Sequence, residues 1–452
     1  MSSQDLDNAA APGVDPPTAS DRPADRRGPG SGGVLRMVIE PISPSREVLK
    51  QGLTFWLATR VVLVAFTWAA IMILLIINVQ HPINDTSYEP SLLLRGWAGW
   101  DGGYYQQIAQ SGYAHQIPHD YPRAAFFPFY PLLVGGFTAV ISVFHVTSVP
   151  ALWGGLAASQ LSSLVAFVAI AALARRELGA TGDSWRAMAL TAAYPFAFFL
   201  AAVYPQATLL AAATIALLCA RSGRWFAAAA AAYVAGLTHQ AALVLVLPLA
   251  WEFARQHGWL PVSLPPGGGL RVPRPGEVAK GLLVAGGAPL GVLTFMAYLW
   301  RTFGNPLFFA EVQQAYWWRT LTGPWTTVQL IVSSLQQAPR AGYDELTIVL
   351  DAGMWVSVAV FTIVLARRQP VSFTLYMAGL LLFCVLAPTL SPFIHNPISG
   401  AGRFLTTAAP LFVGLAGWLR RDSSMGLALL IGGGVMIQGI LTAYFLAGGF
   451  VG

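Results

Sequence analysis

The chain has 452 residues, of which 55% are hydrophobic and 10% charged, and its mean hydropathy is +0.58. Soluble domains carry roughly a quarter charged residues, so this composition excludes a water-soluble fold of the same size. A net charge of +6 and a pI near 9.4 in so apolar a chain point to arginine-rich cytoplasmic loops and anionic lipid, not to nucleic acid.

Residues 1–45 are rich in Pro, Gly, Asp, Ser and Arg and poor in aliphatics. Such a segment cannot bury enough apolar surface to order itself, and it is expected to be a disordered cytoplasmic tail ahead of a membrane domain over 46–452. The first apolar run, Trp56–Asn78, starts too far in and is too long for a signal peptide. It reads as the first of several runs that approach the ~20 residues a bilayer crossing requires, with Leu156–Ala174 and Gly281–Trp300 among the others.

Orientation follows from arginine placement. With the tail inside, the first span exits outward into a long loop over 81–150. Arg175, Arg176 and Arg186 then belong inside. Parity holds only if Phe126–Val146 does not cross, so it is expected to lie along the outer surface as a juxtamembrane helix. Its opening mixture of Phe126, Phe127, Pro128, Phe129, Tyr130 and Pro131 suits an interface.

The later basic clusters then fall inside, at Arg221 and Arg224, in the Pro/Gly-rich linker over 255–280, at Arg367 and Arg368, and at Arg420 and Arg421. Arg95, Arg123, Arg301, Arg319, Arg340 and Arg403 fall outside. A second external loop covers 301–345. The expected architecture is all-α and polytopic, with about 11 spans and the C-terminus outside. Two hairpins, over 187–220 and 225–253, have legs of about 14–17 residues, below spanning length. Their polar tips, Tyr204-Pro205-Gln206 and Thr238-His239-Gln240, are expected below the outer surface, lining a protein cavity.

The first external loop concentrates chemistry. Asp101 follows Trp100 and precedes Gly102, Gly103, Tyr104 and Tyr105. A carboxylate among aromatics at a membrane surface is partly desolvated, which raises its basicity, as a general base for a sugar hydroxyl requires. The tyrosines and Trp100 offer faces for a sugar ring. The plainer reading makes Asp101 the N-cap of a helix starting near Tyr104.

The pattern Trp100, Asp101, Tyr105, Ile108, Ala109, Gly112, Tyr113, followed by Phe126, Phe127, Pro128, Tyr130 and Pro131, resembles the PIG-V-type mannosyltransferases of the GT-C superfamily. Stretches around 194–210, 236–248, 304–317 and 401–412 fall in the same order, so the resemblance covers roughly residues 50–420. It implies a GT-C-like helical membrane fold with juxtamembrane helices in the first external loop. It also implies a polyprenyl-phosphate sugar donor, mannose being the sugar it favours, an acid in that loop as base, and usually inversion. Asp101 occupies the base position. Two positions depart from the pattern: Gln206 stands where a Glu is expected, and His239-Gln240 where an Arg is usual.

Arg403 is the second candidate. It lies outside against the charge trend, at the start of an apolar span, where an arginine and a helix N-terminus can hold a lipid phosphate; the alternative is contact with lipid headgroups. His239 can donate to phosphate or a sugar hydroxyl, or satisfy a structural hydrogen bond. Tyr204 and Gln206 carry lower weight as substrate contacts. Arg123 either meets the acceptor or pairs with Asp120, the pair being favoured. Trp317 and Trp318 read as an aromatic belt, and Glu311 as a solvated helix residue. Cys219 and Cys384 sit in apolar runs with no metal spacing, and no zinc motif or phosphate-binding glycine loop is present. Metal dependence stays open, since a lone loop carboxylate can bind a divalent ion through water.

The sequence thus points to a multi-pass membrane glycosyltransferase with its site on the external face. It takes a hexose from a polyprenyl phosphate to a lipid-linked or glycan acceptor, with membrane lipids as its other partners. A lipid-linked sugar flippase is the main alternative, and an inactive partner in a glycan-assembly complex a third.

Overall fold

A computed structural model describes residues 45–76, 91–113, 122–145, 147, 149–179, 184–261, 271–337, 344–391, 396–422 and 424–451. Almost all of the expected tail, Asp120 and the middle of the 255–280 linker lie outside the described residues. In chain order the helices are α1 (Arg46–Ile76), α2 (Ser91–Gly96), α3 (Asp101–Ser111), α4 (Phe129–Val143), α5 (Pro150–Leu178), α6 (Ser184–Ala192), α7 (Gln206–Arg221), α8 (Trp225–Thr238) and α9 (Val246–Gln256). There follow α10 (Pro275–Ala285), α11 (Gly287–Phe303), α12 (Phe308–Trp317), α13 (Pro324–Gln337), α14 (Asp344–Leu365), α15 (Val371–Leu386), α16 (Ala401–Leu405), α17 (Ala409–Asp422) and α18 (Ser424–Leu446). Among the described residues the only β-pairing is an isolated antiparallel bridge between Arg319 and Thr389.

The protein is a helical membrane protein. Lipid offers no partner to backbone N–H and C=O groups, so an apolar chain satisfies them within helices. Four helices are long and apolar enough to cross on their own, within α1, α5, α14 and α18, and a bent pair, α10 with α11, makes a fifth. Shorter apolar helices, among them α7, α8 and α15, accompany them. The run expected as one span over Gly281–Trp300 is therefore broken: its two halves meet at 61°. The break falls at Gly286-Gly287, where side chains that would stiffen the turn are missing and Pro289 follows.

The bend lets α11 press against α8 backbone to backbone. A Cβ on Gly236 would run into the carbonyl oxygen of Ala288, and one on Gly291 into that of Tyr233. Small residues at such crossings replace the missing hydrophobic drive between helices in lipid with close packing.

Two apolar clusters fill the bundle. The larger one joins α1, α5 to α9 and α14 to α18 around Phe198, Phe199, Tyr204 and Tyr376. The smaller one gathers the loop helices α3 and α4 with α11 around Tyr105, Phe126, Phe127, Tyr130 and Phe295. At 15 residues α4 is shorter than a crossing requires, and it packs along the N-terminal half of α5. There the buried Tyr130 hydroxyl meets Ser159 Oγ at 2.6 Å and donates to the Gly155 carbonyl at 3.2 Å.

The loop is then pinned to the turn between α6 and α7. Val203 N donates to the Trp97 carbonyl at 2.9 Å, and Tyr204 Oη donates to the Gly99 carbonyl at 3.0 Å. These bonds fix the backbone immediately before Asp101.

Gly236→Ala should lower the thermal midpoint of the detergent-solubilised protein by several degrees, since overpacking a tight contact costs about 1–3 kcal/mol. Gly103→Ala, whose Cβ meets open space, is the control and should not lower it. Equal midpoints for the two variants would contradict the close crossing.

Candidate active site

Asp101 opens α3, and the N-cap position falls to Trp100. The helix therefore does not start near Tyr104, and Asp101 is not its cap. Its carboxylate instead reaches across the protein. Arg403 Nη1 donates to Asp101 Oδ2 at 2.8 Å, with both side chains largely buried, 10% and 16% exposed. The two residues are 302 positions apart in sequence.

Arg403 sits on the five-residue helix α16, between aromatic faces. Its guanidinium carbon lies 5.6, 5.3 and 5.3 Å from the ring centres of Phe199, Tyr204 and Phe404. Such cation–π contacts hold a guanidinium in place while leaving its N–H edge available. Arg403 Nε is buried and has no hydrogen-bond partner.

The pair lies in a cleft at the seam between the two apolar clusters. Its wall includes Tyr105, Phe126, Gln206, His239, Gln240, Gln313, Trp317 and Arg319. Both short-hairpin tips thus contribute to the same cavity. Gln206 Oε1 is a second buried polar atom without a partner. Both residues belong to the lining of the cleft.

His239 occupies the break between α8 and the 3-10 turn Gln240–Leu245. Its Nδ1 accepts from Ala241 N at 3.0 Å. An accepting Nδ1 puts the proton of the neutral ring on Nε2, so the remaining polar atom of His239 is a donor. The structural hydrogen bond and a donating role are therefore compatible. Its ring is flanked by Phe404 at 5.0 Å, Phe383 at 6.0 Å and Phe127 at 6.2 Å.

Arg319 was not singled out by the sequence as more than an external arginine. It lies in the loop between α12 and α13, where Nη2 donates to the Ser399 carbonyl at 2.7 Å. Among the described residues no carboxylate pairs with it. Burial, and then Arg403, pull its pKa down from the usual arginine value to about 10, which leaves it a cation at neutral pH. The cleft lining therefore holds two guanidiniums against the one carboxylate of Asp101, with the buried Asp351 acting on both cations from outside the lining.

Other expected contacts fall elsewhere. Trp100, with a left-handed φ of 55°, turns away to donate from Nε1 to the Gly449 carbonyl at 3.1 Å and packs against Phe450. Arg123 is bound to Gln107, Ser111 and the Gly112 carbonyl, away from the cleft. Tyr104 stacks on Phe126 at 5.1 Å and touches Trp317 edge-on at 5.9 Å, so it backs the cleft wall. Tyr204 contributes its ring to Arg403 and its hydroxyl to Gly99. Trp317 lines the cleft, where an aromatic belt was expected. Glu311 is exposed on its helix, as expected of a solvated residue, and its Oε1 accepts from Asn305 Nδ2 at 2.7 Å. Among the described residues no group of three His, Cys, Asp or Glu side chains converges as metal ligands.

No protein-family model matches the chain, and no curated protein matches its sequence. Among solved structures the fold is similar to ArnT from Cupriavidus metallidurans bound to undecaprenyl phosphate, at 14% identity over 86% of this chain and 76% of that one, with a TM-score of 0.43. It is also similar to the Archaeoglobus fulgidus oligosaccharyltransferase in complex with Zn and sulfate, at 14% identity and a TM-score of 0.33. The chain spans about half of the latter, 52% of its length. At these scores the residues of the cleft take their roles from their own geometry.

An amphiphilic anion should test the two guanidiniums. Arg319→Gln should weaken binding of dodecyl phosphate about tenfold or more, the value of one charge-assisted hydrogen bond, as read by isothermal titration in detergent. Unchanged affinity would place the anion elsewhere.

Proposed function

We propose that the protein is a GT-C-type glycosyltransferase. It transfers a hexose, mannose by the PIG-V-type resemblance, from a polyprenyl phosphate to a hydroxyl of a lipid-linked or glycan acceptor. Arginine placement along the sequence supports a cleft on the external face of the membrane. The observation that carries the reading is the buried meeting of Asp101 and Arg403, with Arg319 and His239 lining the same cleft.

The chemistry needs two things at once, a base for the acceptor hydroxyl and positive charge for the departing lipid phosphate. In the resting cleft each of Asp101 and Arg403 occupies the other. A carboxylate oxygen that already accepts from a guanidinium is not open to an acceptor hydroxyl. A donor phosphate offers Arg403 a competing anion, and Arg319 and the His239 Nε2–H stand ready to share it. As Arg403 turns to the phosphate, Asp101 loses its hydrogen-bond partner and its oxygen opens to the acceptor hydroxyl.

The acceptor oxygen then attacks the anomeric carbon from the side opposite the phosphate, and its proton passes to Asp101. The bond from the anomeric carbon to the phosphate oxygen breaks with its electron pair. The configuration inverts, and the polyprenyl phosphate leaves against the two guanidiniums. Preorganised positive charge at the leaving group is the kind of stabilisation that usually dominates such reactions. Donor binding is thus required before the base is active, which gives an ordered mechanism and limits wasteful hydrolysis.

The test is sugar transfer by the purified protein from labelled polyprenyl-phosphate mannose into a membrane lipid extract. Asp101→Asn should lower turnover by about 10³-fold, within the range for losing a general base, yet bind the donor at least as tightly as wild type, because Arg403 is released. Arg403→Ala should weaken donor binding about tenfold or more. Near wild-type turnover in Asp101→Asn would remove the base assignment. Donor binding without product from any sugar carrier would turn the reading toward a lipid-linked sugar flippase.

A further inference from the structure

Asp351 is an acid inside the apolar stretch Thr347–Leu365 of α14, and the mechanism above does not touch it. An ionisable group at such a position is costly in a membrane protein and is kept where it has specific partners. Its partners all lie on one short segment. Oδ1 accepts from Gly402 N at 2.7 Å, and Oδ2 accepts from Gly400 N at 3.3 Å and from Asn396 Nδ2 at 2.7 Å. The side chain is 1% exposed.

These donors all lie just ahead of one residue, Arg403. Gly400 is the N-cap of α16, with a left-handed φ of 84°. Gly402 immediately precedes Arg403. The segment has little other latitude. Tyr194 Oη donates to the Gly402 carbonyl at 3.0 Å, and a Cβ on Gly402 would run into the Phe196 ring. The backbone that presents Arg403 is thus held at its amides by one buried carboxylate, with Tyr194 and Arg319 holding carbonyls of the same segment.

We propose that Asp351 is a positioning residue for Arg403, and through it for the lipid phosphate of the donor. This rests on the transferase reading above. Two bonds from Asp351 to backbone amides set the pitch of α16, and the bond to Asn396 sets where that segment enters. A guanidinium that must leave Asp101 for a phosphate and then hold it through bond breaking depends on a fixed backbone. A misplacement of about 1 Å at such a group can cost roughly 10²-fold in rate.

The replacement Asp351→Asn keeps one acceptor oxygen and turns the other atom into a donor facing donors. The experiment is a double-mutant cycle on transfer, with donor and acceptor kinetics measured separately. Asp351→Asn alone should raise the donor KM about tenfold or more and leave the acceptor KM within about twofold. In an Arg403→Ala background it should change donor kinetics by less than about twofold, because the group it positions is gone. A merely structural role would instead give the same loss in both backgrounds, and that result would overturn the proposal.

Should Asp351→Asn not fold, as judged by size-exclusion profile and thermal midpoint, Asn396→Ala serves in its place. It removes one donor and leaves the carboxylate on the two glycine amides; a smaller loss of about threefold, again absent without Arg403, is expected, and an equal loss in both backgrounds overturns the proposal. If wild type transfers no sugar, the transferase reading fails by itself. The same cycle read as undecaprenyl phosphate binding then still decides the role of Asp351.

Discussion

The structure turns on the ion pair between Asp101 and Arg403. Two oppositely charged side chains buried together are costly to desolvate, and they are kept only where geometry and neighbouring groups compensate. Here the compensation is visible on both sides. The turn at 202–204 fixes the backbone before Asp101, and Asp351 fixes the backbone under Arg403. Three aromatic rings surround the guanidinium. Removing either member would strand the other charge in a desolvated cleft, so the pair links the first loop to the end of the bundle as well as forming its chemical centre.

Everything else in the cleft follows from incomplete satisfaction. Arg319 has a carbonyl partner but no carboxylate. Arg403 Nε and Gln206 Oε1 have no hydrogen-bond partner among the described residues. The one described polar atom of His239 left over after its backbone bond is a donor. The buried Glu252, by contrast, is bonded to Arg221, Arg255, Gln256 and Ser372, whereas the cleft sets two guanidiniums beside the single carboxylate of Asp101. That asymmetry favours an anion with an oxygen-rich neighbour, such as a phosphate joined to a sugar.

Much of this was legible in the sequence, and the reasons differ by residue. Asp101 stood out because a carboxylate followed by two glycines and two tyrosines is improbable packing chemistry in an apolar chain. Arg403 stood out because it opposed the charge trend, and the two hairpin tips because their legs were too short to cross. Arg319 escaped notice because its burial depends on Ser399 and Thr389, far along the chain, which no local pattern reveals. Asp351 did carry a signal, an acid within an apolar helix, whose meaning needed the fold of 396–402. The break at Gly286 could have been read from the paired glycines before a proline. Trp100 was misplaced because motif adjacency to Asp101 says nothing about direction: a left-handed backbone sends its ring to the C-terminal residues.

The measurement that tests the central claim most directly is a structure of the protein with undecaprenyl phosphate bound. The expected result is a phosphate in the cleft on Arg403 and Arg319, with the Arg403 guanidinium drawn away from Asp101 and the carboxylate open to an acceptor. A phosphate bound outside the cleft, with the 2.8 Å pair intact, would contradict it and leave the ion pair as a structural lock.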